Sequence, residues 1–288
     1  IAFYNGEYIS ENNNAISPND RGFLYGDGIF DTLRAAKRSV VSYREHFDRL
    51  KDNCQRVSIP LNYSASEIRH ILGELLHRND ISEAYIRITI TRGIGEQFGF
   101  GFSKNMKPSF LAVVRPRKDI PEALYQKGVK ITFQRTNLFN RSEGRGIKSL
   151  SAQKYVLPKQ EALNNNCYEM ILTDYFDTVY EGTSSNIFIV KNSAVLTPPV
   201  TAGVLPGITR ERVITLLKNK LNIPMVQQTY SKNDVLEADE VFLTGTAAEI
   251  IPVIKIDKRE IAQGKPGEMT ARLIEEFRKL TKTDGLRY

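Results

Sequence analysis

Cysteine is scarce in this chain: Cys54 and Cys167 are the only two in 288 residues. Two such residues cannot build a disulfide framework, and their spacing excludes a CxxC site. Histidine is scarce as well. His46, His70 and His77 are the only three, and none lies in an HExxH pattern, which argues against metal catalysis. No apolar run is long enough to cross a bilayer, and no basic segment leads into an apolar one as in a secretory leader. A cytoplasmic location without a membrane partner is the expectation. The formal net charge is +7, but the lysines and arginines are dispersed among acids and form no basic block. That pattern reads as solubility plus a phosphate-bearing small ligand, not nucleic acid. Internal repeats and low-complexity tracts are also missing.

What is present is an ordinary globular composition, 41% hydrophobic and 25% charged, in a chain long enough for two cores. Asn5-Gly6 between Ala2–Tyr4 and Glu7–Ile9 is a strong hairpin signal. Gly26 and Gly28 do not make a dinucleotide loop, because no third glycine opens a helix and strand-like residues follow. Gly93, Gly95, Gly99 and Gly101 fail the same test and predict a loop. Phe47, Leu50, Cys54 and Val57 recur at helical spacing over Arg44–Val57, with Arg49 at the edge of the apolar stripe. Ser64-Ala65-Ser66-Glu67 is a capping box opening a helix that buries Ile68, Ile71, Leu72, Leu75 and Leu76. Ala84–Arg92 alternates: Ile86, Ile88 and Ile90 face one way, Tyr85, Arg87, Thr89 and Thr91 the other. Ser109–Val114 is a further strand. The charged, proline-bearing stretch Arg115–Pro121 is read as a linker between domains at 1–114 and 122–288.

The stretch from Gly146 to Asn186 carries the chemistry. Lys148 lies between Ile147 and Leu150, and an amine held among apolar groups has its charged form disfavoured and becomes a nucleophile toward carbonyls. A surface lysine between two core residues would give the same pattern. Glu181 opens Glu-Gly-Thr-Ser-Ser-Asn, a turn of small and hydrogen-bonding residues that can present N–H groups and hydroxyls to an anion. A Schiff-base lysine, an acid for a pyridine nitrogen and a donor-rich turn for phosphate are the set that pyridoxal phosphate requires. Ser151-Ala152-Gln153-Lys154 matches the S-x-x-K tetrad of acyl-enzymes, but Ser231-Lys232-Asn233 and Lys282-Thr283-Asp284-Gly285 are not its companions. That tetrad reads instead as part of a helix running through Val156, Leu157 and Ala162, with Pro158 inside it. Leu205-Pro206-Gly207-Ile208-Thr209-Arg210 is a glycine turn feeding a helix N-terminus, an anion site or a plain turn. The strand Asp239–Leu243 ends in Thr244-Gly245-Thr246-Ala247-Ala248-Glu249, small enough for backbone to approach a ligand. Met269–Leu280 closes the chain with a helix.

With these motifs in this order, the chain resembles the class IV (fold-type IV) aminotransferases, in particular branched-chain amino acid aminotransferases and aminodeoxychorismate lyases. The resemblance rests on Tyr25–Arg34, Arg49, Tyr85–Arg87, Lys148, Glu181–Phe188, Gly207–Arg210 and Thr244–Val253. It implies an α/β protein with a smaller α+β N-terminal domain and a barrel-like C-terminal domain that anchors pyridoxal 5′-phosphate, working as a homodimer. Lys148 is then the catalytic Schiff-base lysine and Glu181 the partner of the pyridine nitrogen. Arg49, Thr183, Ser184, Ser185, Asn186, Gly207, Ile208, Thr209 and Thr246 are implied to hold the cofactor. Tyr25, Phe30, Thr32, Arg34, Tyr85, Arg87, Gly245, Thr246 and Ala247 are implied to meet the substrate.

The implied reaction is transfer of an amino group between an amino acid and a 2-oxo acid. Tyr85-x-Arg87 and the Thr244–Glu249 turn lean toward a branched-chain L-amino acid with 2-oxoglutarate. Phe30-Asp31-Thr32-Leu33-Arg34 departs from the usual Phe-Glu-Gly-Ile-Arg and looks like the lyases, which eliminate 4-aminobenzoate and pyruvate from aminodeoxychorismate. Thr91-Arg92-Gly93 is not followed by the Arg-x-His of D-amino acid aminotransferases, so that specificity ranks third. Ser151-Ala152-Gln153 replaces the family's usual Asn-Tyr-Leu or Asn-x-Leu, with Gln153 where a tyrosine is usual. That departure motivates a reading from another class, an inactive cofactor-binding or interaction protein.

Overall fold

The computed structural model describes residues 1–13, 15–37, 39–118, 120–137, 146–283 and 286–287. Two compact units emerge: Ile1–Lys118 with Ile147–Ala152 and the C-terminal residues, and Asp119–Gly146 with Gln153–Thr283. Asp119, within the expected linker, lies outside the described residues, as do Asp284 and Gly285.

The first unit contains strands β1 (Ala2–Tyr4), β2 (Glu7–Ile9), β3 (Gly28–Ala36), β4 (Ser39–Val41), β5 (Ala84–Thr91) and β6 (Ser109–Pro116), and helices α1 (Arg21–Tyr25), α2 (Tyr43–Arg56) and α3 (Ala65–Arg78). Asn5 and Gly6 both take positive φ, 48° and 102°, as a two-residue hairpin turn requires. The α3 capping box forms in both directions between Ser64 and Glu67. The strands make an antiparallel sheet in the order β4-β3-β5-β6-β1-β2, with Leu286–Arg287 beside β4. Strand β6 runs on through Arg115 and Pro116, which pair with Tyr85 and Ala84, so the expected linker begins inside the sheet. Ile29 and Leu33 of β3 join Ile86, Ile88 and Ile90 of β5 in the core with Leu50 and Cys54 of α2 and Ile68, Leu72 and Leu75 of α3. The other face of the same pair carries Phe30, Thr32 and Arg34, which stand opposite Thr89, Arg87 and Tyr85.

Ile147–Ala152 returns to this first unit although the sequence placed it within 122–288. The reason lies in its backbone: Phe30 N–H donates to Lys148 C=O at 2.9 Å and Leu150 N–H donates to Gly28 C=O at 2.9 Å. Ile147 packs on the first unit's core.

The second unit contains α4 (Glu122–Lys127), β7 (Val129–Arg135), α5 (Gln153–Asn164), β8 (Glu169–Thr173), β9 (Val179–Gly182), β10 (Asn186–Lys191), β11 (Ala194–Thr197), α6 (Ile208–Leu216), β12 (Met225–Gln227), α7 (Lys232–Leu236), β13 (Glu240–Gly245), β14 (Glu249–Ile256) and α8 (Glu268–Thr283). Pairing runs β10-β13-β14-β7-β8-β9, and β9 pairs back onto β10, closing a six-stranded barrel. Val129, Ile131, Ile171, Val179, Ile187, Ile189, Val241, Leu243, Ile251 and Val253 come from all six strands and fill one core. Phe188, Val190 and Phe242 point the opposite way and pack on Val213, Leu217, Leu273 and Phe277 of the helical layer. With both faces covered, the strands show continuous burial in place of alternation.

A bulge in β9 decides where Glu181 points. Ile171 pairs with Gly182 but Thr173 with Val179, so β9 carries one residue more than β8 over the same span. Gly182 therefore shares the barrel-interior face of Ile171, and Glu181 turns outward. It pairs with Asn186, which pairs across with Thr244, so the three stand in one row over three strands.

Candidate active site

In the first unit, Lys148 Nζ lies 4.6 Å from the centroid of the Phe30 ring, and the Arg87 guanidinium carbon lies 3.4 Å from the same centroid. The Phe30 ring thus meets two cationic side chains. Thr32 and Arg34 share this face of the sheet, and Tyr85 stands opposite Arg34. The Tyr25 hydroxyl accepts from Gly99 N–H at 2.9 Å, and its ring meets Phe100 edge-on.

Arg49 is buried on the other face, beyond the edge position expected for it. Its Nε and Nη2 donate to the Asp31 carboxylate at 2.9 and 2.7 Å, and His46 Nδ1 lies 2.9 Å from the same carboxylate. Asp31 is fully buried between Ile29 and Leu33, which burial alone would penalise by pushing its carboxyl up; the Arg49 and His46 charges and hydrogen bonds outweigh this and hold it well below the usual range. The structure thus places Arg49 on Asp31, which in the sequence is only one member of the Phe30–Arg34 motif. An acid on the core side of an alternating strand was the available signal.

In the second unit, the Glu181 carboxylate is 4% exposed and accepts from Leu205 N–H at 2.8 Å, from Tyr155 Oη at 3.3 Å and from Asn186 Nδ2 at 3.4 Å. Asn186 also donates to Leu205 C=O at 3.0 Å. A Cβ at Gly207 would lie 2.1 Å from Asn186 Oδ1, so only glycine fits there. Gly207 caps α6 with no side-chain hydrogen bond, leaving the Ile208 and Thr209 end of the helix as a donor terminus. Thr244 Oγ1 is buried without a hydrogen-bond partner among the described residues. The adjoining turn leaves Gly245 and Thr246 half-buried and Ala247 exposed.

The Thr183, Ser184 and Ser185 hydroxyls do not follow the sequence reading. All three donate to the fully buried Glu169 carboxylate, at 2.5, 2.7 and 3.1 Å, and Ser184 N–H joins them at 3.2 Å. The anion this turn captures is the chain's own, because an ionised carboxylate without water needs several donors. Lys159 Nζ adds a contact at 3.4 Å. Glu169 and Tyr155 were not singled out in the sequence. Glu169 was visible as one acid before an apolar run; Tyr155 belongs to no motif.

These residues fit pyridoxal phosphate on the chemistry of the donors. The cap-free N-terminus of α6, the unpartnered Thr244 hydroxyl and the small Gly245-Thr246 turn suit an anion. Glu181, fixed by three donors, suits a protonated ring nitrogen.

Residues 28–256 match the family model described as amino-transferase class IV. Over 286 residues the chain is 37% identical to a Methanocaldococcus jannaschii protein provisionally named a branched-chain-amino-acid aminotransferase, covering 99% of this chain and 98% of that one. It is 34% identical over 277 residues to D-alanine aminotransferase of Staphylococcus haemolyticus, covering 96% of each. The solved branched-chain amino acid aminotransferase of Escherichia coli superposes with a TM-score of 0.90 at 27% identity, covering 97% of this chain and 94% of that one. The fold and the site define a fold-type IV enzyme. The chain belongs to the class IV aminotransferases, which use pyridoxal 5′-phosphate. Among the described residues, no helix is long and apolar enough to cross a membrane.

Proposed function

We propose that this enzyme transfers the amino group of a branched-chain-type L-amino acid to 2-oxoglutarate. One observation carries the reading: Arg87 and Lys148 both lie against the Phe30 ring, so a cation suited to a carboxylate and an amine share one aromatic platform. The names of the M. jannaschii relative and the E. coli structure point the same way.

When bound, pyridoxal phosphate supplies an aldehyde that takes up amines and a ring that accepts an electron pair from the substrate Cα. Lys148 Nζ is the base that removes the Cα proton and later returns one. Glu181 holds a proton at the ring nitrogen. The α6 terminus at Ile208 and Thr209, with Thr246, would hold the phosphate, and Asn186 and Gly207 keep that terminus seated. For the substrate, the first unit offers Arg87, Tyr85, Thr32, Arg34 and Tyr25, and the second offers Gly245 and Ala247.

Two specificities compete. Thr32 adds bulk and a hydroxyl where the branched-chain enzymes usually have glycine, which favours 4-amino-4-deoxychorismate lyase second. The S. haemolyticus relative supports D-amino acids third. An inactive cofactor-binding protein is disfavoured by the buried, donor-satisfied Glu181, which a scaffold has no use for. A homodimer is supported by the first unit's exposed Phe23, Ile94, Phe98, Phe100 and Phe102, an apolar group that a second copy would cover.

The test is the visible spectrum of purified protein loaded with cofactor, with L-leucine, D-alanine and aminodeoxychorismate in separate cuvettes. Conversion of the aldehyde to the amine form by L-leucine is expected. Conversion by D-alanine alone, or pyruvate release from aminodeoxychorismate without conversion, would overturn the specificity.

A further inference from the structure

Glu181 depends on different donors for its two oxygens. Oε2 is held by the Leu205 backbone N–H and by Asn186, which also anchors Leu205 through its carbonyl. Oε1 faces the Tyr155 hydroxyl at 3.3 Å. Tyr155 stands on the first turns of α5, its ring packed with Ala162, Met170, Leu172, Tyr180 and Val204, so the ring is fixed independently of the hydroxyl contact. Burial, and then the Glu181 charge beside it, push the Tyr155 phenol far above its ordinary range, so it remains a donor at any working pH.

We propose that Tyr155 is a positioning residue that holds Glu181 as a carboxylate, so that the proton the two groups share stays on the ring nitrogen of the cofactor. The inference rests on the reading of Glu181 as that nitrogen's partner. A carboxylate and a pyridine facing each other divide one proton between them. Each donor to the carboxylate favours the ion pair, with the proton on nitrogen. Removing the Tyr155 hydroxyl makes Glu181 the stronger base, draws the proton toward Oε1 and leaves the ring a poorer acceptor of electrons. The backbone-held Oε2 does not change. Apart from the lost Tyr155 contact, only the shared N–H···O changes, and no covalent bond to carbon forms or breaks.

The experiment compares pyridoxal 5′-phosphate with its 1-deaza analogue, which has C–H in place of the ring nitrogen, by equilibrium binding to cofactor-free protein. Tyr155→Phe is expected to weaken pyridoxal phosphate about tenfold, as for loss of a hydrogen bond to a charged group, and to leave the deaza analogue within about twofold. Tyr155→3-fluorotyrosine keeps the shape with a more acidic phenol and is expected to bind pyridoxal phosphate at least as well as the parent. It should also shift the pH midpoint of the loaded protein's visible band in the direction opposite to Tyr155→Phe. Equal weakening of both ligands in Tyr155→Phe would reduce Tyr155 to a packing residue and overturn the proposal, as would no weakening of either. If the unaltered protein itself bound both ligands equally, the placement of Glu181 would fall, and the role of Tyr155 with it.

Discussion

Removing the Asp31 carboxylate exposes how far the first unit depends on one buried charge cluster. Asp31→Ala takes an anion with 1% side-chain exposure away from Arg49 and His46, whose side chains are 7% and 3% exposed. Neither can reach water without moving the sheet from α2. Breaking a buried pair in this way costs about 3–5 kcal/mol, because an uncompensated guanidinium stays behind. With a urea slope of about 2–3 kcal/mol per molar, the midpoint of the transition should fall by roughly 1–2 M. Arg49→Met alone should cost a comparable amount, since it strands the Asp31 anion. The double variant should cost little more than either, so the coupling should approach the single-variant loss of about 3–5 kcal/mol. Urea unfolding followed by circular dichroism, on the four members of this cycle, is the assay. Additive losses, or a loss below about 1 kcal/mol for Asp31→Ala, would refute the claim that these groups form one unit.

Three other outcomes follow from single contacts. Gly207→Ala drives a Cβ into Asn186 Oδ1, so cofactor affinity should fall by about tenfold or more while α6 stays folded, measured by equilibrium binding and circular dichroism. Arg21 donates to the carbonyls of Gly99, Phe100 and Gly101, so Arg21→Ala should release that loop and speed limited proteolysis within Gly95–Lys107, read by mass spectrometry. Stability should fall on acidification: burial raises the Asp27 and Asp31 carboxyls, but Arg92 and Arg21, and Arg49 and His46, lower them below the unfolded value. A depressed folded-state pKa stabilises fully above the unfolded value near about 3.9 and ceases to do so as pH falls below it, so melting temperature should drop more steeply below that point than in Asp27→Asn.

How much of this was legible in the sequence depends on range. The Asn5-Gly6 hairpin, the Ser64–Glu67 capping box and the alternation of Ala84–Thr91 are local, and the structure forms each as read. Helix α5 tolerates Pro158 in its interior, as expected from the flanking pattern. Barrel closure was legible only through the resemblance, because it rests on the β9–β10 pairing and on a one-residue bulge that no periodicity marks. The same bulge gives Glu181 its outward face. The Thr183–Ser185 hydroxyls looked free for a ligand because their acceptor, Glu169, lies more than ten residues away on β8. Asp31 and Arg49 meet across a strand and a helix, a pairing that spacing along the chain does not encode. Lys148 is readable as a residue, but not the hydrogen bonds from Leu150 N–H to Gly28 C=O and from Phe30 N–H to Lys148 C=O that draw its segment into the first unit.

The claim on which the rest depends is that Lys148 is the lysine bound covalently by the cofactor. Loading the protein with pyridoxal phosphate, reducing with borohydride and mapping the peptides by mass spectrometry tests it directly. A phosphopyridoxyl group on Lys148, and a Lys148→Ala protein that neither acquires the label nor turns over any amino acid, is the predicted result. A label on Lys154, Lys159 or another lysine, or an active, yellow Lys148→Ala protein, would contradict the account.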